Sequence, residues 1–349
     1  MANREETQED EEERWEERTL SLLNESKIDQ QLLSPEMKAK VKVKVKSGKN
    51  KKNALKRMRR PMVIPGVIIE LQDHVLRENA LRCLSNFLLE KRMDDPENYY
   101  RTGYLLFHSC STMSILLQEL LAAFRKMVDG TLNVRSAKRL ANVLTLLQSI
   151  AANNETRKKF ADSNVPNFLI PIIKFKSPLE VFQNVQAIAL SVFGILCQAR
   201  DGSIVKWAIE SDVLELCQCS MEFGNELSKV VAMHILEAIL QDESGLSYIC
   251  SPACSQLLEG LMKAWEHLLF VNVLSAENQD FSPRLFFHII RCYVLLCNEL
   301  RGFEVVVKRL PFPVTNGSFR EITEEFPIID SLLQQLLVST GKETEVPEL

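Results

Sequence analysis

The feature that most constrains the fold is an internal repeat with a period of about 44 residues. Three segments, residues 140–173, 184–221 and 227–265, each contain a long apolar stretch with helical spacing, a polar turn and a shorter apolar stretch. When the isoleucine before each polar turn is aligned, Ile150, Ile195 and Ile239 lie 45 and 44 residues apart. The sequence therefore predicts stacked helical units that share one continuous core.

The repeat extends in both directions. Residues 284–307 follow the same pattern, and residues 76–124 form an earlier unit in which we expect a polar loop at 91–101. A period of about 40–47 residues is typical of armadillo and HEAT repeats. Only 12 glycines occur, about half of the usual share, which disfavours folds built on glycine-rich loops. We predict an all-α, armadillo-repeat, right-handed superhelical solenoid of about six repeats over residues 67–337.

Charge is segregated along the chain. Residues 1–37 hold 12 acidic and 4 basic side chains, residues 38–60 hold 12 basic and no acidic ones, and the remainder has a net charge of −8. Charge blocks of this kind bury too little apolar surface to fold alone. We therefore expect residues 1–66 to be a disordered acidic-then-basic tail and residues 338–349 to be a disordered C-terminal tail.

The basic segment at 38–60 has three interpretations. It fits a nuclear-localisation signal, a phosphate-binding patch, or a solvated charge run without a specific role. Its flanking residues offer no aromatic side chain that could stack on bases. Because the repeat body is acidic, we expect no nucleic-acid binding outside this segment. The basic residues concerned are Lys49, Lys51, Lys52, Lys56, Arg57, Arg59 and Arg60.

Motifs that carry catalysis or metal binding are missing from the sequence. It contains no P-loop, GxGxxG, HExxH or GxSxG pattern, and its five histidines are scattered singly. The nine cysteines include no Cys-x-x-Cys pair, and their odd number fits reduced, buried thiols in an intracellular protein. The longest uncharged apolar run, about residues 187–197, is too short to cross a membrane. We expect no enzyme, cofactor, metal site or membrane anchor.

Several motifs in a fixed order point to one family. The segments are 224–236 with 245–250, and then 78–81, 106–109, 116–119, 146–148, 155–157, 168–171 and 291–293. Together they resemble the required-for-cell-differentiation family, the armadillo subunit of the CCR–NOT deadenylase complex, over about residues 70–335. The resemblance implies a non-catalytic adapter in mRNA decay and translational repression, in the cytoplasm, including P-bodies, and in the nucleus.

The resemblance also implies two kinds of binding surface. Family members dock on the large NOT scaffold subunit, and they offer pockets to tryptophan-containing or helical segments of regulators. The pocket positions correspond to Tyr248 and Arg301. The scaffold positions correspond to His108, Cys110, Ser114, Leu121 and Val231.

This chain departs from the family at two places. Cys110 stands where the family has an aromatic residue, and residues 251–256 read Ser-Pro-Ala-Cys-Ser-Gln where Tyr, Glu and Arg are usual. Scaffold docking is therefore the leading expectation. The alternative is a nucleic-acid-binding transcriptional or differentiation regulator that acts through the basic tail. A homodimer also stays open.

Overall fold

The computed structural model describes residues 63–199, 201–274 and 282–342, and within them the chain is helical without a strand. The predicted acidic-then-basic tail up to residue 62, with all seven basic residues named above, and residues 343–349 lie outside the described residues. In chain order the α-helices are α1 (Ile64–Glu70), α2 (Arg77–Asp94), α3 (Pro96–His108), α4 (Thr112–Val128), α5 (Val134–Ala152), α6 (Asn154–Asp162), α7 (Ile170–Lys174), α8 (Val181–Cys197), α9 (Gly202–Glu210), α10 (Val213–Phe223), α11 (Glu226–Leu240), α12 (Glu243–Ile249), α13 (Ser255–Leu274), α14 (Pro283–Leu296), α15 (Leu300–Arg309), α16 (Phe312–Thr315), α17 (Arg320–Glu325) and α18 (Pro327–Thr340). Two short 3-10 segments, Val165–Leu169 and Pro252–Cys254, precede α7 and α13.

Six helices form a continuous row through the molecule. In this row α2, α5, α8, α11, α14 and α18 contact one another in sequence order. The inner members are apolar around much of their circumference because each packs against a neighbour on both sides. From Phe182 to Cys197, α8 buries every residue except three near its start. The row confirms the predicted all-α armadillo array of about six repeats.

The polar turns that define the repeat are helix caps. The three aligned isoleucines are buried in the last turns of α5, α8 and α11. A polar side chain then accepts hydrogen bonds from backbone N–H groups at the start of the next helix, which stabilises that helix end by about 1 kcal/mol. The capping residues are Asn153 for α6, Asp201 for α9 and Asp242 for α12. Each 44-residue sequence repeat therefore contains one row helix, one tight turn and one capped short helix.

The predicted loop at 91–101 is wrong. Helix α2 continues to Asp94, and α3 begins at Pro96 after a single connecting residue, Asp95. The Asp95 carboxylate accepts a hydrogen bond from the Asn98 N–H, and proline is favourable in the first turn of a helix. Tyr99 is buried, with the Arg92 guanidinium 5.4 Å from its ring centroid. The polar composition of residues 91–101 suggested a loop, but the segment is a sharp junction between two helices.

The two ends of the described array fall close to the predicted domain limits. Helix α1 begins at Ile64, and α18 ends at Thr340, followed by Gly341 in the left-handed conformation with φ of 65°. Glycine adopts this conformation without the strain of a Cβ and commonly ends helices. The last helix thus runs three residues beyond residue 337.

Across the described residues, no single helix is long and apolar enough to cross a membrane. Helices α3 and α4 reach the required length and composition only as a pair, and they are bent by 88° at their junction.

Candidate functional site

The corner between α3 and α4 carries four of the five predicted scaffold-binding residues. Helix α3 ends at His108, and the chain turns through Ser111, which has a positive φ of 64°. This left-handed conformation costs a non-glycine residue about 1 kcal/mol. The Gln72 side-chain amide donates to the Cys110 carbonyl oxygen at 3.4 Å, which ties the corner to the chain before α2.

One side of this corner is open to solvent. We call it the α4 surface and define it by the exposed residues Tyr104, His108, Cys110, Ser114, Gln118 and Leu121. The last three are four and three residues apart, so they line one face of α4. The rings of Tyr104 and His108 pack at a centroid distance of 4.4 Å, and Leu121 is 41% exposed. The surface combines apolar groups with small polar ones.

The opposite face of α4 is anchored by a buried carboxylate. Both oxygens of Glu119 accept hydrogen bonds from Arg139 of α5, at 2.6 and 2.9 Å. Arg77 of α2 lies 3.5 Å from the same carboxylate, and Arg139 also reaches Glu78 at 3.0 Å. The hydrogen bonds that Arg139 donates to Glu119 and the charges of both acids raise the pKa of Arg139 despite its partial burial. This network fixes the orientation of α4 against α2 and α5.

Val231 does not belong to the α4 surface, and its assignment to a docking surface is wrong. The side chain is 0% exposed. It lies on α11, which packs against α8, α10 and α14, whereas α4 contacts α3 and α5. The family resemblance assigned residue 231 to a docking surface, but in this chain the side chain is covered by neighbouring helices.

The two predicted pocket residues lie on either side of the short 252–255 segment. The Arg301 guanidinium donates to the Ser255 hydroxyl. Tyr248 is 39% exposed, and its hydrogen bond with the Cys254 thiol raises its pKa, with a further contribution from burial. The residues that replace the family pattern therefore engage both side chains within the chain itself.

A buried polar cluster between α11 and α14 was not predicted from the sequence. One oxygen of Glu237 lies 2.6 Å from His288 Nδ1. The other oxygen accepts hydrogen bonds from Arg291 Nε at 2.8 Å and from Gln241 Nε2 at 2.7 Å. His234, one turn before Glu237, packs its ring against His288 at a centroid distance of 5.0 Å. We call His234, Glu237 and His288 the His–Glu–His cluster.

The Glu237 carboxylate is held in its ionised form. Burial alone would raise its pKa, but the hydrogen bond from His288 and the charges of His288, Arg291 and His234 outweigh burial and lower the pKa. The carboxylate therefore stays charged although its side chain is only 8% exposed.

Glu237→Gln is expected to lower the free energy of unfolding by about 2 kcal/mol at neutral pH, because His288, Arg291 and Gln241 lose a charged acceptor. Since folding lowers the pKa of Glu237, its contribution is complete above its unfolded pKa of about 4.3. The contribution is lost as the pH falls through the lower folded pKa. Urea unfolding from pH 7 to pH 3 should therefore show a shallower acid loss for the variant. Parallel pH profiles for both proteins would contradict this account.

Comparisons with known proteins agree with the architecture. The family model described as "Cell differentiation family, Rcd1-like" matches residues 67–340. "Cell differentiation protein rcd1" of Schizosaccharomyces pombe is 31% identical over 279 residues, which cover 80% of this chain and 93% of that protein. "Protein CAF40" of Saccharomyces cerevisiae is 30% identical over 253 residues, which cover 71% of this chain and 65% of that protein.

Two solved structures share the fold at low sequence identity. A crystal structure of an engineered protein matches with a TM-score of 0.56 at 12% identity, over 80% of this chain and 98% of that chain. A designed armadillo repeat protein in complex with the peptide (KR)4 matches with a TM-score of 0.54 at 12% identity, over 80% of this chain and all of that chain. With an armadillo array and a family match over residues 67–340, this chain belongs to the Rcd1-like cell differentiation family.

Proposed function

We propose that this chain is a non-catalytic adapter subunit of the CCR–NOT deadenylase complex, and that its α4 surface docks on the NOT scaffold subunit. The observation that carries the proposal is the two-sided character of α4. Glu119 anchors one side to α2 and α5, while Ser114 and Leu121 are exposed on the other. A rigid helix with an exposed apolar residue is a suitable platform for a partner helix.

The composition of the α4 surface favours close helix–helix contact. Ser114 and Cys110 are small, so a partner backbone could approach closely beside them. Leu121 and Tyr104 supply apolar and aromatic groups that gain free energy when a partner covers them. Binding energy would therefore be concentrated in a few central contacts, with the polar residues around them excluding water.

An adapter of this kind acts by bringing proteins together. Docking on the scaffold would leave the rest of the solenoid open to regulators that direct the complex to messenger RNA. The pocket positions Tyr248 and Arg301 are the proposed contact for such regulators. Because both side chains already engage residues 254 and 255, we expect this contact to be weaker than scaffold docking.

Leu121→Glu tests the docking proposal. A charge on the α4 surface would be desolvated on binding, so we expect affinity for the central region of the scaffold to fall at least about tenfold, or about 1.4 kcal/mol. The measurement is co-purification followed by titration calorimetry. Val338→Glu is the matched control, since Val338 is 81% exposed on α18. Both variants should keep the wild-type melting temperature, and unchanged binding by Leu121→Glu would exclude the α4 surface.

A further inference from the structure

We propose that the His–Glu–His cluster binds a divalent transition-metal ion of the zinc class. One potential ligand atom each from His234, Glu237 and His288 lie within 4.8 Å of one another. The first two residues are three positions apart on α11, and the third comes from α14. Two adjacent row helices therefore bring three metal-binding side chains together.

The distances suit a tetrahedral ion after small side-chain rotations. Bonds of about 2.0–2.2 Å place two ligand atoms about 3.3–3.6 Å apart on a tetrahedral ion. The Glu237 oxygen and His288 Nδ1 are now 2.6 Å apart and would have to separate slightly, and all three ligand atoms already lie within 4.8 Å of one another. An ion would replace the hydrogen bond of this pair with two coordinate bonds.

The donor set selects the kind of ion. Two imidazole nitrogens and one carboxylate oxygen suit zinc, cobalt or nickel, whereas magnesium and calcium prefer oxygen ligands alone. Three protein ligands leave a fourth position for water or for a group from a partner. His234 is partly buried as a residue, and its Nε2 atom lies inside the protein.

The surroundings of Glu237 support coordination. Arg291 and Gln241 hold the second carboxylate oxygen at 2.8 and 2.7 Å, which orients the first oxygen toward the two histidines. Such outer hydrogen bonds fix metal-binding carboxylates in known sites. The Arg291 charge also opposes a cation, so we expect moderate affinity.

Cobalt titration of the EDTA-treated full chain tests the proposal, with absorption spectra as the readout. We expect one equivalent to give visible d–d bands without the near-ultraviolet charge-transfer band of a thiolate ligand. This distinction matters because the chain holds nine cysteines. Zinc should displace the cobalt, and zinc at about 100 times its dissociation constant should raise the melting temperature by about 5 °C.

His234→Phe removes one ligand and keeps a ring of similar size beside His288. We expect cobalt affinity to fall at least about tenfold, while His267→Phe, at an exposed histidine on α13, should bind as the wild type does. Histidine-selective NMR of the wild type is independent of folding effects, and zinc should shift two of the five histidines. The proposal would be overturned by any of three results: no stoichiometric cobalt binding, the appearance of a thiolate charge-transfer band, or zinc-induced shifts at histidines other than His234 and His288.

Discussion

Val231→Glu is expected to unfold the repeat core. The side chain is 0% exposed on α11, between α8 and α14, where a carboxylate would be removed from water. An uncompensated buried charge typically costs about 3–5 kcal/mol, a large part of the stability of an ordinary protein. Urea unfolding followed by circular dichroism should show a much lower midpoint or no folded baseline at all.

Leu121→Glu is the comparison that separates folding from docking. Leu121 is 41% exposed, and charged substitutions at such positions usually change stability by less than about 0.5 kcal/mol. The two glutamates should therefore behave differently, one lowering stability and the other lowering only affinity for the scaffold. A Val231→Glu protein with a wild-type unfolding midpoint would show that α11 is not packed as described.

Gly103→Ala is expected to destabilise the chain by about 3 kcal/mol, at the upper end of overpacking effects. Gly103 lies on α3 where this helix packs directly against the backbone of α5. A Cβ there would lie 2.1 Å from the carbonyl oxygen of Ser149 and 2.6 Å from its carbonyl carbon. Both are backbone atoms of a row helix, so they cannot rotate away as a side chain could. The two helices would have to separate, which would also shift α4.

Gly66→Ala is the matched control for this effect. Gly66 also lies in a helix, α1, but a Cβ there would meet nothing within 4 Å. Alanine is the better helix former by about 1 kcal/mol, so this variant should be neutral or slightly more stable. Denaturant unfolding of both variants provides the measurement. Equal effects would mean that close helix contact at Gly103 is unimportant.

The repeat architecture was predictable because it rests on local rules. Apolar spacing marks each row helix, and the polar residue after each aligned isoleucine caps the next helix, as Asn153 and Asp242 do. The loop expected at 91–101 failed for the same local reason. One capping residue, Asp95, followed by Pro96 is enough to start a new helix, and composition alone does not distinguish this from a longer loop.

The binding surfaces were less predictable because they depend on neighbours. The family resemblance assigns Val231 to a docking surface, but a resemblance does not show that helices on both sides cover this residue. His234 and Glu237 are three residues apart, which was the one available signal for the His–Glu–His cluster. His288 is 54 residues beyond His234, so only the packing of α14 on α11 brings the two rings together. By contrast, the α4-surface residues from His108 to Leu121 lie in one continuous segment of the chain, so their proximity could be predicted from the sequence.

The row of helices also determines where the molecule opens first. Each row helix is stabilised mainly by contacts with the row helices next to it. Helix α18 has one row neighbour, α14, whereas α8 and α11 each have two. Amide hydrogens should therefore exchange fastest in the terminal helices of the row and slowest in its middle helices, such as α8 and α11. A partner seated at the α3–α4 corner would brace one end of the array and slow its fraying.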